Sequence, residues 1–266
     1  MLKITLISSN IRFDNPADKL HSWKYRKSVL TQLLKEHNPV GIGTQEGRRP
    51  QLTELKILLN DYEMIDSHRK WIDERMYPTL FLKKNSFRLL ESNDFWLSST
   101  PHIAGSKSFG SAFPRLCTWA RIQINENQLL IANVHLDHTS ENVRIEQTNV
   151  LCSELLSIRK QDPMILMGDF NSAPGDQVRK ILFKNIDDLS DPWITFEKDE
   201  KTSFHNFTGE NASGSRIDWI LNSKELLPTS IFLEERQIEG TFPSDHFPVV
   251  TNFSYAESII SSIESI

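Results

Sequence analysis

The chain has 266 residues, 38% hydrophobic and 24% charged, an ordinary balance for a protein with a sizeable core. Its net charge of -5 disfavours partners held by neutralising long runs of phosphate. No apolar run approaches the roughly 20 residues that cross a bilayer, so no membrane insertion is expected. Cys117 and Cys152 are too few for a disulfide framework and are expected to be reduced, buried and inert.

From the N-terminus, an apolar stretch over 3–9 soon meets Asn10, Arg12 and Asp14. It reads as a first strand rather than a secretory signal, and hence as a cytoplasmic chain. A helix follows over 22–37, with Val29, Leu30, Leu33 and Leu34 on one stripe, then a strand over 40–45 and a helix over 50–60. Strands are predicted over 78–84, 87–97, 115–124 and 128–136, with a Ser/Gly/Pro-rich loop over 98–114. A helix over 141–159, a strand over 163–167 and a helix over 175–184 come next. A loop over 198–215 and strands over 216–221 and 247–254 complete the pattern. The expectation is a layered α/β sandwich, two sheets packed face to face with helices outside, in a single domain over 1–255. The tail 256–266 spaces its isoleucines as a helix would. The basic clusters Lys24-Arg26-Lys27, Arg48-Arg49 and His68-Arg69-Lys70 are expected to be solvated surface.

The polar residues fall in a telling place. In 129–137, Leu130, Ala132, Val134 and Leu136 form one apolar face, while the other face ends in Asn133, His135 and Asp137. Met164-Ile165-Leu166-Met167 runs into Gly168-Asp169-Phe170-Asn171, delivering Asp169 and Asn171 to one side. Strand 3–9 ends in Asn10 and strand 40–45 in Glu46. Asp218 stands among apolar residues, and Asp245-His246 precede the last strand. Six strand ends that each carry an acid, an amide or a histidine imply one rim around a polar cavity.

Those residue types constrain the chemistry. Glu46, Asp169, Asp245 and the Asn10 carbonyl are hard oxygen donors that suit Mg²⁺ or Mn²⁺. Histidines and an asparagine can donate to phosphoryl oxygens, and an aspartate can take a proton from water. No phosphate-cradling Gly-x-x-x-x-Gly-Lys-Ser/Thr loop, nucleophile elbow or dinucleotide fingerprint is present, which argues against NTP-driven, serine-esterase and redox chemistry.

In chain order the blocks Asn10, Gln45-Glu46, Asn133-Val-His135-Leu-Asp137, Gly168-Asp169-Phe-Asn171, Arg216-Ile-Asp218-Trp and Ser244-Asp245-His246 resemble the endonuclease/exonuclease/phosphatase superfamily over residues 4 to about 254. Phe95-Trp96-Leu97-Ser98-Ser99-Thr100-Pro101 and Pro114-Arg115-Leu-Cys117-Thr-Trp119 are similar to a bacterial metal-dependent hydrolase group near the nocturnin-like deadenylases. The resemblance implies a four-layer α/β sandwich of two mainly antiparallel sheets, and a Mg²⁺- or Mn²⁺-dependent phosphoesterase with a metal held by Glu46, Asn10 and Asp245. It implies water activation by Asp169, phosphate donors at Asn171 and His135, and a transition-state partner at His246 oriented by Asp218. Arg115 is a candidate for the substrate phosphate. The expected activity is phosphodiesterase or nuclease-like on RNA or a nucleotide, or alternatively that of a phosphomonoesterase or a sphingomyelinase-like phospholipase on a small or lipid phosphate, by a monomer. One departure is visible: relatives carry a Glu at the start of strand 78–84, where this chain has Met76, with Glu74 two residues earlier.

Overall fold

The computed structural model describes residues 3–210 and 214–255. The tail 256–266, expected to be helical, lies outside the described residues. Twelve strands are described: β1 (Lys3–Asn10), β2 (Gly41–Gln45), β3 (Tyr62–Met64), β4 (Thr79–Lys83), β5 (Arg88–Trp96), β6 (Leu116–Ile124), β7 (Asn127–His135), β8 (Met164–Asp169), β9 (Leu189–Ser190), β10 (Asp218–Ser223), β11 (Leu226–Leu233) and β12 (Val249–Tyr255). The α-helices are α1 (Trp23–Glu36), α2 (Arg49–Leu58), α3 (Glu141–Arg159), α4 (Gln177–Asn185) and the short α5 (Pro192–Thr195).

The strands form two six-stranded sheets, ordered β11-β12-β1-β2-β4-β3 and β5-β6-β7-β8-β10-β9. Each has one parallel pair at its centre, β1 with β2 and β7 with β8, and antiparallel pairs elsewhere. A parallel pair needs a crossover, and a helix supplies it in both cases: α1 between β1 and β2, α3 between β7 and β8.

The period-2 pattern sorts side chains into layers. Ile4, Leu6, Leu80 and Phe253 of the first sheet meet Ile122, Ile131, Ile165 and Ile220 of the second in the inter-sheet core. Leu130, Ala132, Val134 and Leu166 point the other way and pack under Leu151, Leu155, Val178 and Leu182 of α3 and α4. Ile7, Ile42 and Phe81 do the same beneath Leu30, Leu34, Leu52 and Leu55 of α1 and α2. This is the α/β/β/α sandwich the sequence implied. Each fully buried Leu or Ile contributes about 1.5–3 kcal/mol, so the packed faces rather than helix propensity hold the outer layers.

Near the rim the inward positions turn polar, with Ser8, Gln45 and Asn133 joined by hydrogen bonds. Asn133 donates from Nδ2 to the Thr44 and Thr79 carbonyls at 2.9 and 3.1 Å, and its Oδ1 accepts from Gln45 Nε2 at 2.7 Å. The sheets are tight here: a Cβ on Gly43 would lie 2.6 Å from Met167 Sδ. Asn133 is thus a link between sheets just beneath the rim.

Three short or irregular strands were not anticipated. β3 and β9 have three and two residues. β11 carries Pro228 and a bulge between Pro228 and Ser230, tolerable because it is an edge strand. The basic clusters also differ from expectation. Arg26 is fully buried, with the His21, Ile11, Pro243 and Arg12 carbonyls as acceptors. The Arg69 side chain is wholly enclosed beside Asp94. A guanidinium's five donors can satisfy several acceptors at once, which lets these arginines turn inward. Both cysteines are free and buried, as expected. No helix among the described residues is long and apolar enough to cross a membrane.

Candidate active site

Strand direction explains the rim. The carboxyl ends of the parallel pairs finish together, Asn10 beside Gln45 and His135 beside Asp169. The antiparallel β10 and the segment before β12 begin at that same end, bringing Asp218 opposite Asp169 and His246 close by. Glu46, at φ 68°, turns the chain away immediately after β2. Gly168, at φ 147°, permits a contact no other residue could make, since a Cβ there would lie 2.0 Å from the Val134 carbonyl oxygen.

All nine residues singled out from the sequence gather at this end. Asn10 Nδ2 donates to Glu46 Oε1 at 3.1 Å and Asp169 Oδ2 at 2.9 Å, bridging the two carboxylates, while its Oδ1 accepts from Arg12 N–H at 3.0 Å. Glu46 Oε2 accepts from Phe13 N–H at 3.1 Å. Asp169 Oδ1 accepts from Asn171 N–H at 2.9 Å, and Asn171 Nδ2 is anchored to the Leu136 carbonyl. Arg115 Nη1 lies 2.9 Å from His135 Nδ1, and His135 Nε2 lies 3.5 Å from Asp169 Oδ2. Glu74, two residues before Met76, lines the cavity beside Arg48 with its side chain 82% exposed. Arg115 and Asp169 are the neighbours of His135. Asp218 Oδ2 accepts from His246 Nδ1 at 2.9 Å and from Ser203 Oγ at 2.6 Å. Asp245 Oδ2 lies 3.7 Å from Arg12.

The electrostatics divide these groups into roles. Burial, then the charge of Asp218, pushes the Asp169 carboxyl up to about 7. Burial alone would lower His246, but the charge and hydrogen bond of Asp218, with Asp245 and Asp169, raise it to about 10. It is therefore cationic at neutral pH. Burial, followed by the charge of Arg115, lowers His135 well below its ordinary value, so it is neutral. One site thus holds an acid, a neutral imidazole and a carboxylate poised near neutrality.

Among the described residues, Glu46, His135 and Asp169 can bring one ligand atom each within 4.8 Å of one another, as can Asp169, Asp218 and His246. Burial, with Glu46 among the nearby charges, also raises Asp245. Carboxylates crowded into a buried rim repel unless a proton or cation intervenes. This donor set fits a hard divalent cation.

The rim opens into a cavity of about 660 Å³ lined by Arg12, Phe13, Arg48, Arg75, Phe113, Arg115, His138 and Phe204 beside the site residues. Of these only Arg115 was singled out as a site residue, and Arg48 was assigned to solvated surface. A signal existed for two others: Arg12 and Arg48 each follow a rim residue, Asn10 and Glu46, by two positions. Arg75, Phe113 and Phe204 sit in irregular segments where no periodicity marks them.

A buried acid–imidazole pair and converging carboxylates on a two-sheet sandwich define a phosphoesterase, a hydrolase that cleaves phosphate esters. The chain belongs to the Endonuclease/Exonuclease/phosphatase family, whose model matches residues 7–246. It is similar to an endonuclease/exonuclease/phosphatase from Bacteroides vulgatus, with 26% identity, TM-score 0.89, and 96% of this chain and 100% of that one covered. It is also similar to the mannosyl-6-phosphatase Bt3783 of Bacteroides thetaiotaomicron, with 28% identity, TM-score 0.85 and coverage of 95% and 100%. The human nocturnin catalytic domain shares the fold at 22% identity and TM-score 0.75, with 96% and 94% covered. No curated protein sequence matches the chain.

Proposed function

We propose that this enzyme is a Mg²⁺- or Mn²⁺-dependent phosphatase that hydrolyses the phosphate monoester of a small, polar, soluble alcohol. The observation that carries this reading is the size and lining of the site: a cavity of about 660 Å³, open to solvent on one side, lined by arginines and aromatic rings. A pocket of that size suits a small ligand rather than a long polymer. The net charge of -5 and the likeness to a mannosyl-6-phosphatase agree with it.

Glu46 and Asp245 would hold the cation. Asn10 would join them through its oxygen once the amide turns away from Arg12. The cation would supply charge stabilisation for the phosphoryl oxygens. Asp169 orients the attacking water and takes its proton, which its elevated pKa suits. Arg115, His135 and Asn171 orient the phosphate. His246, held by Asp218, presents its cationic edge to the developing charge and protonates the leaving alkoxide. The products are the free alcohol and inorganic phosphate.

Phosphodiester hydrolysis on RNA or a nucleotide is the second reading. Phe113, 45% exposed, stacks with His138 at 6.0 Å between ring centroids, a surface on which a base could lie. Metal-dependent phosphate release from a hexose monophosphate, absent in Asp169→Asn, supports the first reading. Cleavage of short RNA with no release from the sugar phosphate overturns it in favour of the second.

A further inference from the structure

Arg75 lines the catalytic cavity, yet its buried Nε–H has no acceptor, and no carboxylate among the described residues pairs with its guanidinium. Arg48, in the same cavity, also buries an unpartnered Nε–H. Its acidic neighbour is Glu74, 3.4 Å away on a largely exposed side chain. A bridge between Arg48 and Met76 brings the two segments side by side. Arg48 is further braced by the Phe13 ring 4.9 Å from its Cζ, a ring that Arg12 also approaches at 4.6 Å. Buried guanidinium donors are costly to leave unsatisfied, so a group that retains them in a pocket is suited to an anion arriving with the ligand.

The scissile phosphate does not need these two arginines. It is served by Arg115, immediately before β6, and His135, at the end of β7, both on the second sheet's side. Arg48 and Arg75 stand on the first sheet's side, in the turn after β2 and the segment before β4. Resting on the phosphatase reading, we propose that Arg75 and Arg48 form a second anion subsite, and that the substrate is a small phosphate ester bearing a second phosphate or carboxylate. A planar guanidinium fork matches both groups in a bidentate arrangement.

The test compares a hexose bisphosphate, a hexose monophosphate and phosphogluconate as substrates for the wild type, Arg75→Gln and Arg75→Lys with Mn²⁺ present. The wild type should prefer the doubly anionic substrates. Arg75→Gln should cut that preference, as a ratio of kcat/KM values, by about tenfold or more, chiefly through KM, with Arg75→Lys intermediate. Preference for the bisphosphate alone assigns the subsite to phosphate, and preference for phosphogluconate assigns it to carboxylate. A wild type with no preference, or an Arg75→Gln variant with an unchanged ratio, overturns the subsite. If no sugar phosphate turns over, the phosphatase reading fails separately. Calorimetric binding of the hexose bisphosphate then decides: a loss of about tenfold in Arg75→Gln supports the subsite, and equal affinity removes it.

Discussion

Asp169 and Asp218 face each other directly across the antiparallel β8–β10 pair, one carboxylate opposite the other. Like charges so placed repel, and the surroundings divide the burden. Asp218 is engaged by Ser203 and His246, whereas at Asp169 burial and its neighbour's charge outweigh the bonds from Asn10 and Asn171 and raise it to about 7. Asp169 acts as a base only when ionised, so activity should fall as pH drops through about 7. A bound cation competes with the proton, so raising the Mn²⁺ concentration should move this acidic limb to lower pH. Profiles of kcat/KM against pH at two metal concentrations check this. Superimposable limbs would count against Asp169 as the titrating base.

The same carboxylate pair predicts an effect at the other end of the pH scale. His246 acts as an acid only while protonated, and Asp218 is the leading influence holding it at about 10 against burial. Asp218→Asn should therefore shift the basic limb of the profile downward. It should also lower kcat by about 10²–10⁴, the usual worth of a positioned acid or base. Loss of kcat with the basic limb unmoved would show that Asp218 does not tune His246.

Glu46→Gln should weaken Mn²⁺ binding by about tenfold or more while leaving the far-ultraviolet circular dichroism unchanged, because its carboxylate lies at the rim and not in the core. Asp245→Asn should weaken it too, by less, since Arg12 already compensates part of that charge. Titration calorimetry measures both, and wild-type affinity in Glu46→Gln would remove Glu46 from the ligand set.

Much of the rim could be read before the structure, for a physical reason. A strand buried on both faces has no place for Asp169 or His135 except at its end, so the break in apolar alternation marks where the chain reaches a polar cavity. The packing of two sheets with helices outside followed from the same alternation. Residues without such a rule stayed hidden. Arg75 and Phe113 lie in loops, β11 was obscured by Pro228, and Arg26 and Arg69 sit within basic clusters that look solvated. Asn133 shared the face of His135 in the sequence, and the structure shows it spent on joining the sheets rather than on the cavity.

Arg69 leads to the last prediction. Its guanidinium donates to both oxygens of Asp94, at 2.7 and 3.0 Å, and Thr118 adds a third bond at 2.6 Å. Burial alone would raise Asp94, but the charge and hydrogen bonds of Arg69, with the bond from His68, hold it well below the usual carboxylate range. A carboxyl depressed in the folded state contributes stability that is complete above its unfolded pKa, about 3.9, and fades as pH falls toward the folded value. Asp94→Asn should therefore cost about 3–5 kcal/mol at neutral pH, because it strands the Arg69 charge inside the protein. The gap from wild type should narrow below about pH 4, where Asp94 takes up a proton in the unfolded chain while it stays ionised in the folded one, so that the wild type alone loses stability. Urea unfolding of both proteins at neutral and acid pH provides the comparison. A gap of constant size across that range would mean that Asp94 acts through its shape and hydrogen bonds rather than its charge.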